Sequence, residues 1–164
     1  MRDKDGKLDD KPYHLVLLAK DWTGYQNLCR LVTDAHIDGY YYKPRIDKEH
    51  LAKYSEGLIG LSACLGGEIP RALEVDDVDS ARRLAGEYGD IFGKGNFFLE
   101  VQDHGMSEQH ALTRKLLKLG PEVGLPFVAT NDLHYVRRDQ HEAHDVLLCV
   151  GTASNLSDPN RFRI

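Results

Sequence analysis

Residues 58–67 read LIGLSACLGG. Leu58 to Ala63 is an apolar run of strand length, broken by one serine, and it stops at Cys64 and a Gly66–Gly67 turn. A strand apolar on both faces belongs inside a sheet covered on both sides. Working outward, three similar runs appear: HLVLLA (His14–Ala19), FFLEV (Phe97–Val101) and LPFVAT (Leu125–Thr130).

Helical segments separate these runs. Asp21 can cap a helix whose apolar residues Trp22, Tyr25, Leu28, Val32 and Ala35 recur at three- and four-residue steps. A short helix is expected near Asp47 to Tyr54, and another after Gly67. A longer one is expected from about Val78 to Phe92, with Leu84, Tyr88, Ile91 and Phe92 inward and Gly93 and Gly95 breaking it. Ser107 can cap a helix to Leu119, stopped by Gly120 and Pro121. A last amphipathic helix covers Asp139 to Val150. Strands alternating with helices predict parallel pairing and an α/β fold. Four strands are few for a closed barrel, where about eight are usual, so an open sheet or a piece of something larger is expected.

Composition narrows the function classes. The 164 residues carry a net charge of -5, with 41% apolar and 29% charged residues, which is ordinary for a globular domain. No global basic field marks a nucleic-acid coat protein, so any nucleic-acid contact must be local or assisted by ions or another domain. No apolar run nears the roughly 20 residues of a membrane span, and the polar start is no secretory signal. The odd set Cys29, Cys64 and Cys149 predicts no disulfide framework and a reducing, cytoplasmic setting. Residues 1–12 read as a polar lead-in. Within them DKDGKLDD lacks the ligands that an EF-hand requires at both ends of its loop.

In parallel sheets the chemistry gathers at the carboxyl ends of strands. Beyond the fourth strand stand Asp132 and His134. In extended backbone an i, i+2 pair points to one side, and carboxylate and imidazole both ligate zinc, manganese or iron. Cys64 follows the second strand, and Glu100, Asp103 and His104 end the third. Each has a plainer reading. An acid-x-His pair also forms a capped turn, a lone cysteine packs as a small apolar residue, and the third group suits turn chemistry before the Ser107 helix. Their convergence at successive strand ends brings the metal reading level with these. Cys29 and Cys149 read as packing, and His36, His50 and His110 as helix-surface residues. His141 and His144, one turn apart, read as support for the neighbouring loop.

The segment YYYKPRID (40–47) sets three tyrosines beside Lys43 and Arg45. It suits either a stacking and phosphate contact for a nucleic-acid end or a buried aromatic corner.

Four long stretches carry a resemblance: YHLVLLAKDWTGYQNLCRLVTDAHIDGYYYKPRID, LIGLSACLGGEIPRAL, FFLEVQDHG and LPFVATNDLHYVRRDQHEAHDVLLCVGTASNLSDPNRFR. In this order they resemble the PHP (polymerase and histidinol phosphatase) domain of bacterial replicative DNA polymerase III alpha subunits. The resemblance implies a distorted (β/α)7 barrel with mostly parallel strands and a cluster of divalent ions, zinc, manganese or magnesium. It places metal ligands at His14, Cys64, Asp132 and His134. Glu100 and His104, read from the strand end, are candidate supports, and Lys43 and Arg45, read from the tyrosine loop, are candidate phosphate contacts. Members without metals replace several of these positions, 134 included. The resemblance therefore implies the metal-binding subclass, in which a 3′–5′ exonuclease activity occurs.

The family's opening His-x-His strand, acid-His motif and glutamate ligand have no counterpart in this chain, and its polymerase palm is absent. The expectation is the later part of one domain (residues 13–151), with 152–164 beginning a linker. The metal cluster should then be incomplete, and DNA and other replisome subunits should be partners of the parent. A stand-alone phosphoesterase acting on a substrate such as histidinol phosphate, and a non-catalytic scaffold, are the competing readings.

Overall fold

The structure is a computed structural model that describes residues 12–163. Apart from Pro12, the polar lead-in lies outside the described residues. The chain forms two compact units, one up to Thr130 and the other from Asn131.

The first unit holds a four-stranded sheet: β1 (Val16–Ala19), β2 (Leu58–Leu61), β3 (Phe97–Val101) and β4 (Phe127–Ala129), ordered β1-β2-β3-β4. The pairs β2–β3 and β3–β4 are parallel, as the alternation of strands and helices predicts. The pair β1–β2 is antiparallel, with Val16 opposite Leu61 and Ala19 opposite Leu58, which corrects the expectation for that strand. The chain leaves β1, forms α1 (Trp22–Ile37) and α2 (Lys48–Lys53), and comes back to the sheet edge it left. Lys20 N donates to Gly57 O at 2.8 Å where the excursion closes. A strand–helix–strand pattern cannot distinguish such a return from a crossover. Among the described residues the sheet is open, and its edge strands β1 and β4 are partly exposed.

Three aspartates start helices by the same device. Asp21, Asp47 and Asp77 accept from Gly24 N (2.8 Å), His50 N (2.8 Å) and Ser80 N (3.0 Å). Each such cap is worth about 1 kcal/mol. α3 (Glu68–Glu74) and α4 (Val78–Phe92) follow β2, and α4 spans the predicted residues. Leu84, Tyr88 and Phe92 are buried on its inner side as expected, and Ile91 is half-buried. Phe97 of β3 lies between Tyr88 and Phe92, stacked at centroid distances of 5.1 and 5.6 Å. Together with Leu58, Leu99, Leu116 and Leu119 these rings form the core. Each fully buried side chain of this size contributes roughly 1.5–3 kcal/mol.

Two helices depart from their sequence reading. α1 buries Gly24, Leu31 and Ala35, while Trp22, Tyr25 and Val32 are exposed. Its three- and four-residue spacing predicts the helix but also traces a stripe on the outer face. α5 (Ser107–Val123) is capped at Met106, so Ser107 is its first helical residue, and it runs through Gly120 and Pro121 to end at Gly124 in the left-handed region. β4 passes close enough that only a glycine fits at 120 within the helix: a Cβ there would lie 2.2 Å from the Phe127 ring. The second unit contains a 3-10 turn (Arg138–Gln140) and α6 (His141–Gly151), close to the predicted last helix.

Candidate functional site

The reversed direction of β1 brings His14 to the site. Its first residues lie beside the end of β2, and His14 forms an isolated parallel bridge with Gly67. His14 N donates to Gly66 O at 3.0 Å. The chain then turns at Ala63, whose φ of +63° is in the left-handed region, and presents Cys64 to the imidazole. Cys64 Sγ lies 3.5 Å from His14 Nδ1. Which of the two carries the shared proton depends on the tautomer. His14 is exposed and Cys64 half-buried, so solvent and ions can reach the pair. The ring rests on Gly66, where a Cβ would come within 2.9 Å of Nδ1. A rule that looks only at carboxyl ends of parallel strands passes over His14, because an antiparallel strand starts where its neighbours finish.

Glu100 stands at the end of β3 and is 5% exposed. Its backbone N–H donates to Ser62 Oγ at 2.8 Å. Its Oε1 accepts from the Thr130 hydroxyl and from Gln102 Nε2 at 3.0 Å. Among the described residues its Oε2 has no hydrogen-bond partner. Ser62 and Thr130, polar residues closing apolar strands, are the sequence signal that could have found this arrangement. Asp103 and His104 are occupied by the α5 start. Asp103 Oδ1 accepts from Gly105 N (2.9 Å) and contacts His110 Nε2 (2.9 Å), which holds its carboxyl below the usual range. Gln109 brackets His104, accepting from its N–H and bonding its Nδ1, both at 2.8 Å.

In the second unit, Asp132 has a φ of +46°, so the extended i, i+2 geometry expected for Asp132 and His134 does not hold. β4 stops at Ala129, and the chain curls until His134 Nδ1 lies 2.7 Å from the Asp132 carbonyl. An Nδ1–H donated to that oxygen leaves Nε2 with its lone pair outward, the form that ligates metals. His144 of α6 packs its ring 5.9 Å from that of His134 and 5.3 Å from Tyr135, and His141 Nδ1 contacts Arg138 O at 2.9 Å. Both therefore support the loop, as the sequence reading has it. The structure thus brings the His14 and Cys64 side chains together in the first unit, while in the second His134 meets Asp132 through the backbone carbonyl. Among the described residues no group of three or more His, Cys, Asp or Glu is placed to hold an ion together.

The tyrosine loop is no buried corner: Tyr40 and Tyr42 are exposed, and Arg45 lies over the Tyr41 ring at 5.0 Å. Arg45 Nε also donates to Gly39 O at 3.3 Å. His50 is less superficial than expected, bridging to Asp34 at 2.7 Å. Cys149 packs as predicted, whereas Cys29 is exposed.

These features define an α/β protein with a histidine–cysteine pair and a buried carboxylate where its strands end. The family model for the PHP domain matches residues 3–104, and the chain belongs to that family. That stretch takes in His14, Cys64 and Glu100. The chain is 48% identical over 151 residues to the DNA polymerase III subunit alpha of Treponema pallidum (strain Nichols), covering 92% of this chain and 13% of that protein. It is 48% identical over 161 residues to that of Thermus aquaticus, covering 98% and 13%. With that of Borreliella burgdorferi it shares 43% over 161 residues, covering 98% and 14%. The chain therefore spans about one eighth of the length of these relatives. No helix among the described residues is long and apolar enough to cross a membrane.

Proposed function

We propose that this chain is the later part of a metal-binding PHP domain, a distorted (β/α)7 barrel when whole, within a bacterial replicative DNA polymerase. In the full polypeptide the activity would be template-directed DNA synthesis in the cytoplasm, alongside other replisome subunits. The PHP portion would act on the 3′ end of a DNA strand. The observation that carries this reading is the approach of His14 to Cys64, within 3.5 Å, in a chain so similar to polymerase alpha subunits.

The residues fit divalent ions by chemistry. His14 and Cys64 offer a nitrogen and a sulfur, a set that favours zinc among the common divalent ions. Asp132 and His134 add an oxygen and a nitrogen, with the His134 tautomer set by the Asp132 carbonyl. When bound, such ions supply an activated water and charge stabilisation for phosphodiester cleavage. The chain's own residues position and orient: Gly66 seats the His14 ring, and Lys43 and Arg45 offer positive charge to a phosphate beside exposed tyrosine rings.

The test uses the full-length polypeptide. Elemental analysis should find zinc, manganese or magnesium, and a labelled single strand should lose nucleotides from its 3′ end. Cys64→Ala and His134→Ala should remove that loss and spare DNA synthesis. A metal-loaded protein that releases no nucleotide would refute the editing role. The second reading is the non-catalytic scaffold, and a metal-free full-length protein would establish it. Hydrolysis of histidinol phosphate by this chain would instead support the stand-alone phosphoesterase.

A further inference from the structure

Glu100 is the one buried side-chain group among the described residues with an unpartnered polar atom. A carboxylate oxygen left unsatisfied in the interior costs at least about 1–3 kcal/mol, so a chain that keeps one has a use for it. Glu100 lines a cavity of about 10 Å³ together with Cys64, Gln102, Gln109 and Thr113 among others. That is close to the smallest space that holds one water, and the lining offers the polar partners a buried water needs. The rest of the residue is tied on both sides. The backbone holds Ser62, two residues before Cys64, and Oε1 holds Thr130, the last residue of the first unit. Glu100 thus joins the carboxyl ends of β2, β3 and β4 at one point.

We propose that Glu100 is a positioning residue for the Cys64 site. It fixes the ends of the three strands, and through one water on Oε2 it orients the Cys64 sulfur toward the ion. This deepens the metal-binding reading of the preceding subsection and rests on it. Groups that orient a ligand without touching the metal typically change metal affinity 10–100-fold when removed.

The test is a cobalt(II) titration of the full-length polypeptide, followed by the near-ultraviolet thiolate-to-cobalt band. Cys64→Ala identifies the band by abolishing it. Glu100→Gln should retain the fold, since the new side chain matches in shape, yet require at least about tenfold more cobalt. Thr130→Val should weaken binding in the same direction, and Thr130→Ser, which keeps the hydroxyl, should restore it. This second pair decides the matter if Glu100→Gln fails to fold. If the tested variants saturate at the wild-type cobalt concentration, the inference falls and the metal reading stands. If the wild-type full-length polypeptide shows no band that Cys64→Ala removes, the metal reading falls and takes the inference with it.

Discussion

His14 Nδ1 lies 3.5 Å from Cys64 Sγ across a separation of 50 residues. The contact exists because β1 runs against β2, so that the beginning of one strand meets the end of the other. It depends on Gly66, which leaves room for the imidazole. In Gly66→Ala the new methyl would stand 2.9 Å from Nδ1, and the ring, held by a single rotatable stem, is what moves. The expected result is a stability change under about 1 kcal/mol with loss of the His14–Cys64 proximity. Nuclear Overhauser contacts between the two side chains check it, and their persistence in the variant would contradict the role given to Gly66.

Gly24 and Gly57 set how closely α1 approaches the sheet. A Cβ on Gly24 would lie 1.8 Å from the Gly57 carbonyl oxygen, and backbone cannot swing aside. Gly24→Ala gains about 1 kcal/mol of helix propensity. The forced shift of backbone costs up to about 3 kcal/mol or more, so the clash wins. Urea unfolding should show a net loss of about 2 kcal/mol, and an unchanged midpoint would disprove the close approach.

Tyr88 is buried, and its hydroxyl donates to Glu68 Oε2 at 2.8 Å while Lys48 bonds the same oxygen at 2.8 Å. Burial first, then the Glu68 hydrogen bond, pushes the phenol far above its usual range, so it remains a donor at every working pH. Tyr88→Phe keeps the stacking on Phe97 and removes that donor. It should cost about 1–2 kcal/mol, measured by chemical denaturation at neutral pH.

Asp145 and Arg161 join α6 to the chain that follows it. Arg161 Nη2 meets Asp145 Oδ2 at 2.7 Å, and Nε bonds both carboxylate oxygens. The guanidinium hydrogen bonds hold the Asp145 carboxyl below the usual carboxylate range. A depressed carboxyl stabilises the folded form above the ordinary carboxylate pKa of about 4. That stabilisation is lost as pH falls further and the folded group protonates. Proteolysis of the 152–163 segment should therefore be slow at neutral pH and accelerate below about pH 4, read with an acid protease. Asp145→Asn should flatten this dependence, and a variant as pH-sensitive as the wild type would exclude the pair as its source.

Much of this fold was legible from local chemistry. The Gly93 stop, the Asp21 cap and the apolar runs place α4, α1 and the central strands with little error, because each rests on residues near in sequence. Strand direction did not emerge that way. Whether β1 runs with or against β2 is decided by where the chain returns after α2, a matter of packing at Gly24 and Gly57. The same holds for Gly120, which reads as a helix stop but serves as a gap for Phe127. At the site, Cys64 followed from the end of an apolar strand. His14 was reachable only by resemblance, since its own position looked wrong for a parallel sheet. The bonds from Glu100 to Ser62 and Thr130 lie between strands far apart in sequence, where no spacing rule reaches.

The direction of β1 also determines where a reporter can be attached. A fluorophore at Tyr13, the exposed neighbour of His14, sits at the same rim as Cys64 and would crowd it. One placed at Lys20, whose Nζ reaches Asn96 Oδ1 at the opposite rim, would report on the sheet and leave the thiol accessible.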